Sequence, residues 1–293
     1  MKIWITGGAG FVGTRLTTAL KQEGHEVVSL SRRHAPLASE SITVDLATSD
    51  SVDRIKAAIE KLGPPEVVIN AASRQPGSGT LAEFVRANSV ATVHLIEGLQ
   101  SSPPQRVIHL STLSVYHHNN PLPVNEENPA TASTHYAMSK RLGEQVVENV
   151  YGSQVLILRL PSLYGAGQAD SFIDGLARTA MTNRPLELFS EGKVIRDALH
   201  VSDVVAAIQV AMKSRLSERV CVMNLGCGRA IRTLEFATTV VDVFESTSEI
   251  VLVAKAASQP DLYADISKAE KLIGFRPTEL RESLKRYRDE LRT

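Results

Sequence analysis

The 293-residue sequence has little cysteine, few aromatic residues and no excess charge of either sign. Its two cysteines, Cys221 and Cys227, lie far from any histidine cluster at metal-ligand spacing. We therefore expect free thiols in a reducing compartment and no bound metal. Lys and Arg together number 32, and so do Asp and Glu. This balance argues against nucleic acid or an anionic membrane as the main partner.

Long hydrophobic runs are also missing. No segment approaches the ~20 apolar residues that a membrane-spanning helix requires, and the opening residues show no signal-peptide pattern. We therefore expect a cytoplasmic protein. Hydrophobic residues make up 43% and charged residues 22% of the chain, which is ordinary for a globular protein of this size.

What the chain does contain is an alternation of apolar runs with segments of helical period. KIWIT, HEVVSLS, PPEVVINAA, RVIHLST and QVLILRL have the pattern of strands, and helical patterns separate them. This order predicts a parallel sheet covered by helices on both faces. The regularity fades after about residue 165, which indicates a second, less regular lobe.

A glycine-rich turn follows the first strand. Gly7, Gly10 and Gly13 are spaced three residues apart, directly before a helical pattern. Glycine permits the positive φ of a tight turn, the approach of the backbone to a pyrophosphate and close packing of helix on strand. The helix N-terminus adds N–H groups and partial positive charge. The turn therefore predicts a dinucleotide-binding site.

The end of the second strand bears on the choice of dinucleotide. NAD sites commonly place an acid there for the ribose hydroxyls, whereas this chain has Ser31, Arg32 and Arg33. Two arginines can clamp a 2′-phosphate, so we predict NADP, with NAD as second choice. The alternative is a pair of solvated surface arginines. Asp45, followed by Leu46, could bond the adenine amino group or cap a helix.

Tyr136 and Lys140 stand at i and i+4, on one face of a predicted helix. A tyrosine hydroxyl has a pKa near ~10, which is too high for a base at neutral pH. We expect the Lys140 ammonium, with the oxidised nicotinamide, to favour the phenolate by ~4 kcal/mol. Ser111 and Thr112 end the strand RVIHLST, where a hydroxyl can bond a substrate oxygen.

Eight segments in order carry a family resemblance. They are TGGAGFVG (6–13), NAAS (70–73), STLSVY (111–116), YAMSK (136–140), RLPSLYGAGQ (159–168), RDALHVSDVVAAI (196–208), NLGCG (224–228) and DISKAEKLIGFRP (265–277). With them the sequence resembles an extended short-chain dehydrogenase/reductase of the NAD(P)-dependent sugar epimerase/dehydratase family, over nearly its whole length.

The resemblance implies roles for particular residues. Tyr136 would be the acid/base, Lys140 would tune it and bind the nicotinamide ribose, and Thr112 would fix the reacting oxygen. The implied cofactor-binding set is Gly7, Gly10, Phe11, Val12, Gly13, Ser31, Arg32, Arg33, Asp45, Leu46, Ala71, Ala72, Ser73, Asn88, Tyr136, Lys140, Pro161 and Leu163. The implied substrate-binding set is Ser73, Ser111, Thr112, His118, Tyr136 and Arg196.

The fold class expected is therefore α/β, a Rossmann-type doubly wound parallel sheet with a smaller C-terminal substrate-binding lobe. We assign residues 1–165 and about 197–228 to the NAD(P)-binding domain, and 166–196 and 229–293 to the lobe. Arg196 would clamp a nucleotide-sugar diphosphate or form a salt bridge to Asp197. The resemblance also implies a homodimer that packs through the helices of residues 80–100 and 134–150.

The reaction predicted is NADPH-dependent reduction of a 4-keto-6-deoxy nucleotide sugar, because Arg32 and Arg33 favour NADPH. The alternative is an NAD-dependent nucleotide-sugar 4-epimerase, and a third reading is a non-catalytic NADP-binding sensor or subunit. A 4,6-dehydratase fits poorly, because Leu113 and Ser114 stand where those relatives place an acid pair.

Overall fold

The computed structural model describes residues 1–168, 171–256 and 260–292. Its strands are β1 (Lys2–Thr6), β2 (Glu26–Ser31), β3 (Glu40–Thr43), β4 (Val67–Asn70), β5 (Arg106–Thr112), β6 (Gln154–Leu160), β7 (Ser162–Tyr164), β8 (Leu186–Leu188), β9 (Ile195–Arg196), β10 (Ala198–His200), β11 (Val220–Asn224), β12 (Ile231–Arg232) and β13 (Ile250–Leu252).

The α-helices follow the same chain order. They are α1 (Phe11–Gln22), α2 (Ser51–Leu62), α3 (Leu81–Val85), α4 (Ala91–Leu99), α5 (His135–Glu148), α6 (Phe172–Met181), α7 (Val201–Lys213), α8 (Thr233–Val243), α9 (Ser267–Ile273) and α10 (Leu280–Arg292). A π-helical segment, Arg86–Val90, joins α3 to α4, and short 3-10 turns cover Leu113–Val115 and Phe189–Gly192.

Seven strands form the central sheet in the order β11-β6-β5-β4-β1-β2-β3. The pairs from β3 across to β5 are parallel, with Trp4 opposite Val28 on one side and Val68 on the other. From β1 the chain adds β2 and β3 on one side and then β4, β5 and β6 on the other, as in nucleotide-binding α/β sheets. The carboxyl ends of β1 and β4 therefore lie side by side. The predicted fold class is confirmed.

Both faces of the sheet are buried. Trp4, Val28 and Val68 pack under α2 and α4, where Ile55 and Leu95 face them. Another cluster lies around α5 and the neighbouring strands, among them Val107, Val147, Val155 and Ile157. Burial on both faces explains why these strands appear in the sequence as continuous apolar runs rather than as alternating ones.

The described chain divides into two compact units. The first holds residues 1–117, 129–159 and 205–223, and it contains almost the whole sheet. The second holds 118–128, 160–204 and the chain from 224 onward, with a core around Phe236, Leu284 and Tyr287. These bounds differ from the predicted domains, since 118–128 falls in the second unit. The assignment of one domain to cofactor and one to substrate stays a prediction.

Within the residues that the structure describes, no helix combines the length and the apolar character that crossing a membrane demands.

Candidate active site

The β1–α1 turn accepts only glycine at its critical positions. Gly7 has φ +70°, and a Cβ there would lie 3.0 Å from Ala72 Cα. A Cβ on Gly13 would lie 2.1 Å from the Gly7 carbonyl oxygen, an impossible contact. Gly10 is the N-cap of α1 and Phe11 and Val12 open the helix, so no side chain caps its first N–H groups. The turn therefore fits a dinucleotide pyrophosphate.

Arg33 lies close to this turn. Its guanidinium donates to the Ala9 carbonyl oxygen at 3.3 Å, and the Ser31 hydroxyl donates to the Arg33 carbonyl oxygen at 2.7 Å. Arg33 also lines a cavity of about 240 Å³ beside Gly8, Ala9 and Thr14. The cavity can take a ribose with or without a phosphate. Arg32 is exposed.

Asp45 and Leu46 have local structural roles. Asp45 Oδ1 accepts from the Ala47 N–H at 3.0 Å, and its carbonyl oxygen accepts from the Thr48 hydroxyl at 2.8 Å. Leu46 is buried in the core with Trp4. Asp45 therefore closes a local turn and does not cap a helix, because the N-cap of α2 is Asp50. The adenine contact stays a prediction.

The structure brings the three predicted catalytic side chains together. Thr112 ends β5, and Tyr136 and Lys140 lie one turn apart on α5. The side chains of Thr112 and Ser73 lie beside the Tyr136 hydroxyl and favour its phenolate. The Tyr136 ring meets the edge of Phe84 at a centroid distance of 6.2 Å. These contacts place one phenol among two aliphatic hydroxyls, an arrangement suited to holding a substrate hydroxyl or carbonyl oxygen.

The pKa values of Tyr136 and Lys140 differ from the expectation. Burial raises the pKa of Tyr136 to about 12, and the neighbouring side chains of Thr112 and Ser73 partly offset that rise. Burial lowers the pKa of Lys140 to about 8, and the Glu144 carboxylate opposes that change. The Lys140 ammonium donates to the Leu110 carbonyl oxygen. The protein alone thus does not lower the pKa of Tyr136, because burial outweighs what surrounds the phenol.

Asn88 lies in the π-helical segment and is 2% exposed. Its Oδ1 accepts from the Arg74 N–H at 2.7 Å and from the Ser73 hydroxyl at 3.2 Å, and its Nδ2 donates to Ser139 Oγ at 2.9 Å. Its side chain therefore ties the loop after β4 to α5. The cofactor contact of Asn88 stays a prediction.

Ala71 and Ala72 also belong to the predicted cofactor-binding set, and their cofactor contacts stay predictions. Ala72 donates its N–H to Thr6 Oγ1.

A buried ionic network beside the trio was not predicted from the sequence. Glu144 on α5 is fully buried, and Arg159 on β6 donates to both of its oxygens, at 3.0 and 2.8 Å. The Ser111 hydroxyl donates to Glu144 Oε1, and Arg159 also donates to the Tyr116 hydroxyl at 2.8 Å. Ser111, predicted to bind substrate, thus directs its proton to Glu144. Glu144 follows Lys140 by four residues, a helical spacing that was a usable signal.

Four predicted residues belong to the second unit: His118, Pro161, Leu163 and Arg196. His118 is exposed, and Pro161 and Leu163 flank or lie in β7. Arg196 donates to the Pro260 carbonyl oxygen at 2.6 Å. Asp197 accepts instead from the backbone N–H groups of Cys227 and Ala264, at 2.8 and 3.1 Å.

Of the described residues, no three His, Cys, Asp or Glu side chains group as metal ligands would.

A protein-family model matches most of the chain. The model of the "NAD dependent epimerase/dehydratase family" matches residues 3–226. A putative UDP-glucose 4-epimerase of Methanocaldococcus jannaschii is 25% identical, over 97% of this chain and 96% of its own. A probable UDP-glucuronate 4-epimerase of Rhizobium meliloti is 26% identical, over 95% and 93%.

Solved structures are similar over the full length. MoeE5 in complex with UDP-glucuronic acid and NAD superposes with a TM-score of 0.85 at 28% identity, covering 100% of this chain and 99% of its own. The UDP-glucose 4-epimerase of Thermotoga maritima superposes with a TM-score of 0.88 at 22% identity, over 100% and 99%. The second similarity concerns the fold alone.

Proposed function

Because the chain belongs to the NAD-dependent epimerase/dehydratase family, we propose that it is a nucleotide-sugar 4-epimerase working with NAD. The observation that carries this proposal is the Tyr136 hydroxyl, which lies beside the side chains of Thr112 and Ser73 and one turn from Lys140. Similar proteins bear the names of UDP-glucose and UDP-glucuronate 4-epimerases. The predicted 4-ketoreductase is not confirmed, and the epimerase alternative fits the comparisons better.

In the proposed reaction, Tyr136 takes the proton of the sugar 4-hydroxyl and later returns it. Thr112 holds the reacting oxygen beside the phenol, so that the proton moves over a short hydrogen bond. When bound, NAD supplies the acceptor and then the donor of the C4 hydride. Thr112 and Tyr136 would hold the 4-oxygen while C4 changes configuration, and the overall reaction would involve no net oxidation.

The pKa of Tyr136, which burial raises to about 12, sets what else the reaction requires. Removal of the phenol proton near neutral pH needs nearby positive charge. Lys140 on the same helix and the oxidised nicotinamide would provide it. We therefore expect Tyr136 to titrate near neutrality only in the NAD complex.

The test is incubation of the purified protein with UDP-glucose and, separately, UDP-glucuronate, without added cofactor. Proton NMR of the anomeric signals should show conversion to the 4-epimer. Replacing Tyr136 by Phe should reduce the rate by about 10²-fold or more, because it removes the acid/base. Tyr151→Phe, at a residue that is 81% exposed, is the matched control. An unchanged rate in Tyr136→Phe would refute the mechanism.

One observation favours the reductase as a second candidate. Arg33 lines the cavity beside the glycine turn, and its positive charge would favour a 2′-phosphate there. Fluorescence titration of the cofactor-stripped protein separates the two functions. Tighter NADPH than NADH binding that is lost in Arg33→Ala would support a reductase, whereas tight retention of NAD supports the epimerase. Binding of nucleotide without turnover of any UDP-sugar would favour a sensor.

A further inference from the structure

Glu144 is the centre of a buried contact network that joins three elements. It is 0% exposed, lies on α5, and receives hydrogen bonds from Ser111 on β5 and from Arg159 on β6. Arg141 on its own helix adds a bond at 2.9 Å. We propose that Glu144 is a positioning residue for Lys140 and that it fixes α5 against the strand that carries Thr112.

The first part of the argument is geometric. Lys140 donates to the Leu110 carbonyl oxygen and Glu144 accepts from Ser111, so consecutive β5 residues are bound by side chains one helical turn apart. Thr112 is the next residue on β5, and Tyr136 is one turn before Lys140 on α5. The two anchors therefore fix how Tyr136 stands relative to Thr112.

Arg159 extends the anchor beyond β5. Its guanidinium binds both Glu144 oxygens, donates to the Tyr116 hydroxyl and lies 4.8 Å from the centre of the Tyr116 ring. Glu144 is thereby linked to both ends of the 111–116 segment. A bidentate carboxylate–guanidinium pair is geometrically strict, which suits a residue that fixes a position.

The second part is electrostatic. Lys140 is 3% exposed, and burial disfavours its charged form. His109 on β5 interacts with Lys140, and Tyr136 lies one turn before Lys140 on α5. Burial and the nearby Lys140 hold the pKa of His109 well below its usual value, so it is neutral. Glu144 is thus the group whose negative charge favours the Lys140 ammonium.

The sign of the effect follows. The pKa of Lys140 in the fold is about 8, and the ammonium is lost as the pH rises through that value. Without the Glu144 charge, the ammonium would be lost at a lower pH. This inference rests on the proposed function, because a charged Lys140 matters there for activating Tyr136. The alkaline limb of the epimerase rate should accordingly move to lower pH.

The experiment follows the Lys140 side chain directly. Protein labelled with ¹³C at lysine Cε is titrated in its NAD complex and without nucleotide, and Lys140→Met assigns the signal. In Glu144→Gln the midpoint should move down by about one pH unit, the smaller end of the range for a nearby opposite charge. Glu144→Asp, which keeps the charge, should restore most of that shift.

Glu148→Gln is the matched control. It removes the same charge from the next turn of α5, where Glu148 is half-buried and pairs with Arg141. Its Lys140 midpoint should stay at the wild-type value. Equal midpoints in wild type and Glu144→Gln would overturn the proposal, and so would an equal shift in Glu148→Gln.

Two further outcomes are separable. If Glu144→Gln does not fold because Arg159 is left unpaired, the double variant Glu144→Gln/Arg159→Met removes the whole pair and the same midpoint is measured. If the midpoint shifts but no UDP-sugar is epimerised, the positioning role holds and the proposed reaction fails. If the protein epimerises with an unshifted midpoint and alkaline limb, the reaction holds and the role of Glu144 fails.

Discussion

At the residue scale, Asp197 is a buried carboxylate held by the backbone. It is 6% exposed and accepts from the N–H groups of Cys227 and Ala264. A Cβ on Gly226 would lie 2.3 Å from Asp197 Oδ2, so glycine is required there. Burial raises the pKa of Asp197 from 3.8 to about 6, because the two hydrogen bonds only partly replace water.

This raised pKa predicts a pH-dependent stability. The folded state binds the proton more tightly than the unfolded state, so the contribution of Asp197 is full below pH 3.8 and is lost as the pH rises through about 6. The loss amounts to ~3 kcal/mol. Asp197→Asn cannot lose this contribution, so its destabilisation in urea unfolding should be ~2 kcal/mol smaller at pH 7 than at pH 4.

Asp53→Asn, at a side chain that is 88% exposed, controls for general effects of pH. An Asp197→Asn penalty that is the same at both pH values would contradict the assignment of this titration to Asp197.

Sequence reasoning at this scale succeeded where spacing along one element carries the geometry. Tyr136 and Lys140 share a helix face, and Thr112 ends a strand. It missed Arg159, because the Glu144–Arg159 pair joins a helix to a strand 15 residues away and no local pattern marks that contact. The same limit applies to Ser111, because the sequence does not show that Glu144 accepts the hydrogen bond of its hydroxyl.

At the scale of elements, the π-helical segment between α3 and α4 is the feature that departs from the expected regular helix. The pattern from Leu81 to Leu99 predicts one long helix and contains no proline or glycine before Gly98. The extra residue in the π turn presents Asn88 to the loop at Ser73 and Arg74, as such turns often do near functional sites. The 3.6-residue spacing of apolar positions in a sequence does not reveal a single residue added to one turn of the helix.

Asn88→Ala should therefore affect both stability and substrate turnover. Loss of its side chain leaves the Arg74 N–H and the Ser139 hydroxyl without this partner, which should cost about 1–3 kcal/mol in urea unfolding. Because Ser73 donates to Asn88 and lies beside Tyr136, we also expect a lower kcat for the epimerisation. Asn149→Ala, at the exposed end of α5, should change neither quantity. An Asn88→Ala variant as stable as the wild type would contradict the role of Asn88 in joining the loop after β4 to α5.

At the scale of the whole molecule, the alternation of strands and helices along the chain was predictable, because apolar runs alternate with segments of helical period. The two compact units have other bounds than the predicted domains, since the second unit contains the separate segments 118–128, 160–204 and 224 onward. Contacts between distant segments decide such a division, and composition alone does not show them. The homodimer expected from the family resemblance also lies beyond a single chain and stays a prediction.

The surface of α3 and α5 indicates where such a dimer would form. Leu81, Met138 and Leu142 are each at least 40% exposed, and Met138 and Leu142 are one turn apart on α5. We predict that light scattering gives a dimer mass for the wild type and a monomer mass for Leu142→Glu, because a buried unpaired carboxylate opposes association. Val210→Glu, at a residue that is 48% exposed on α7, should remain dimeric. A monomeric wild type at assay concentration would reject the dimer, and a dimeric Leu142→Glu would exclude this face.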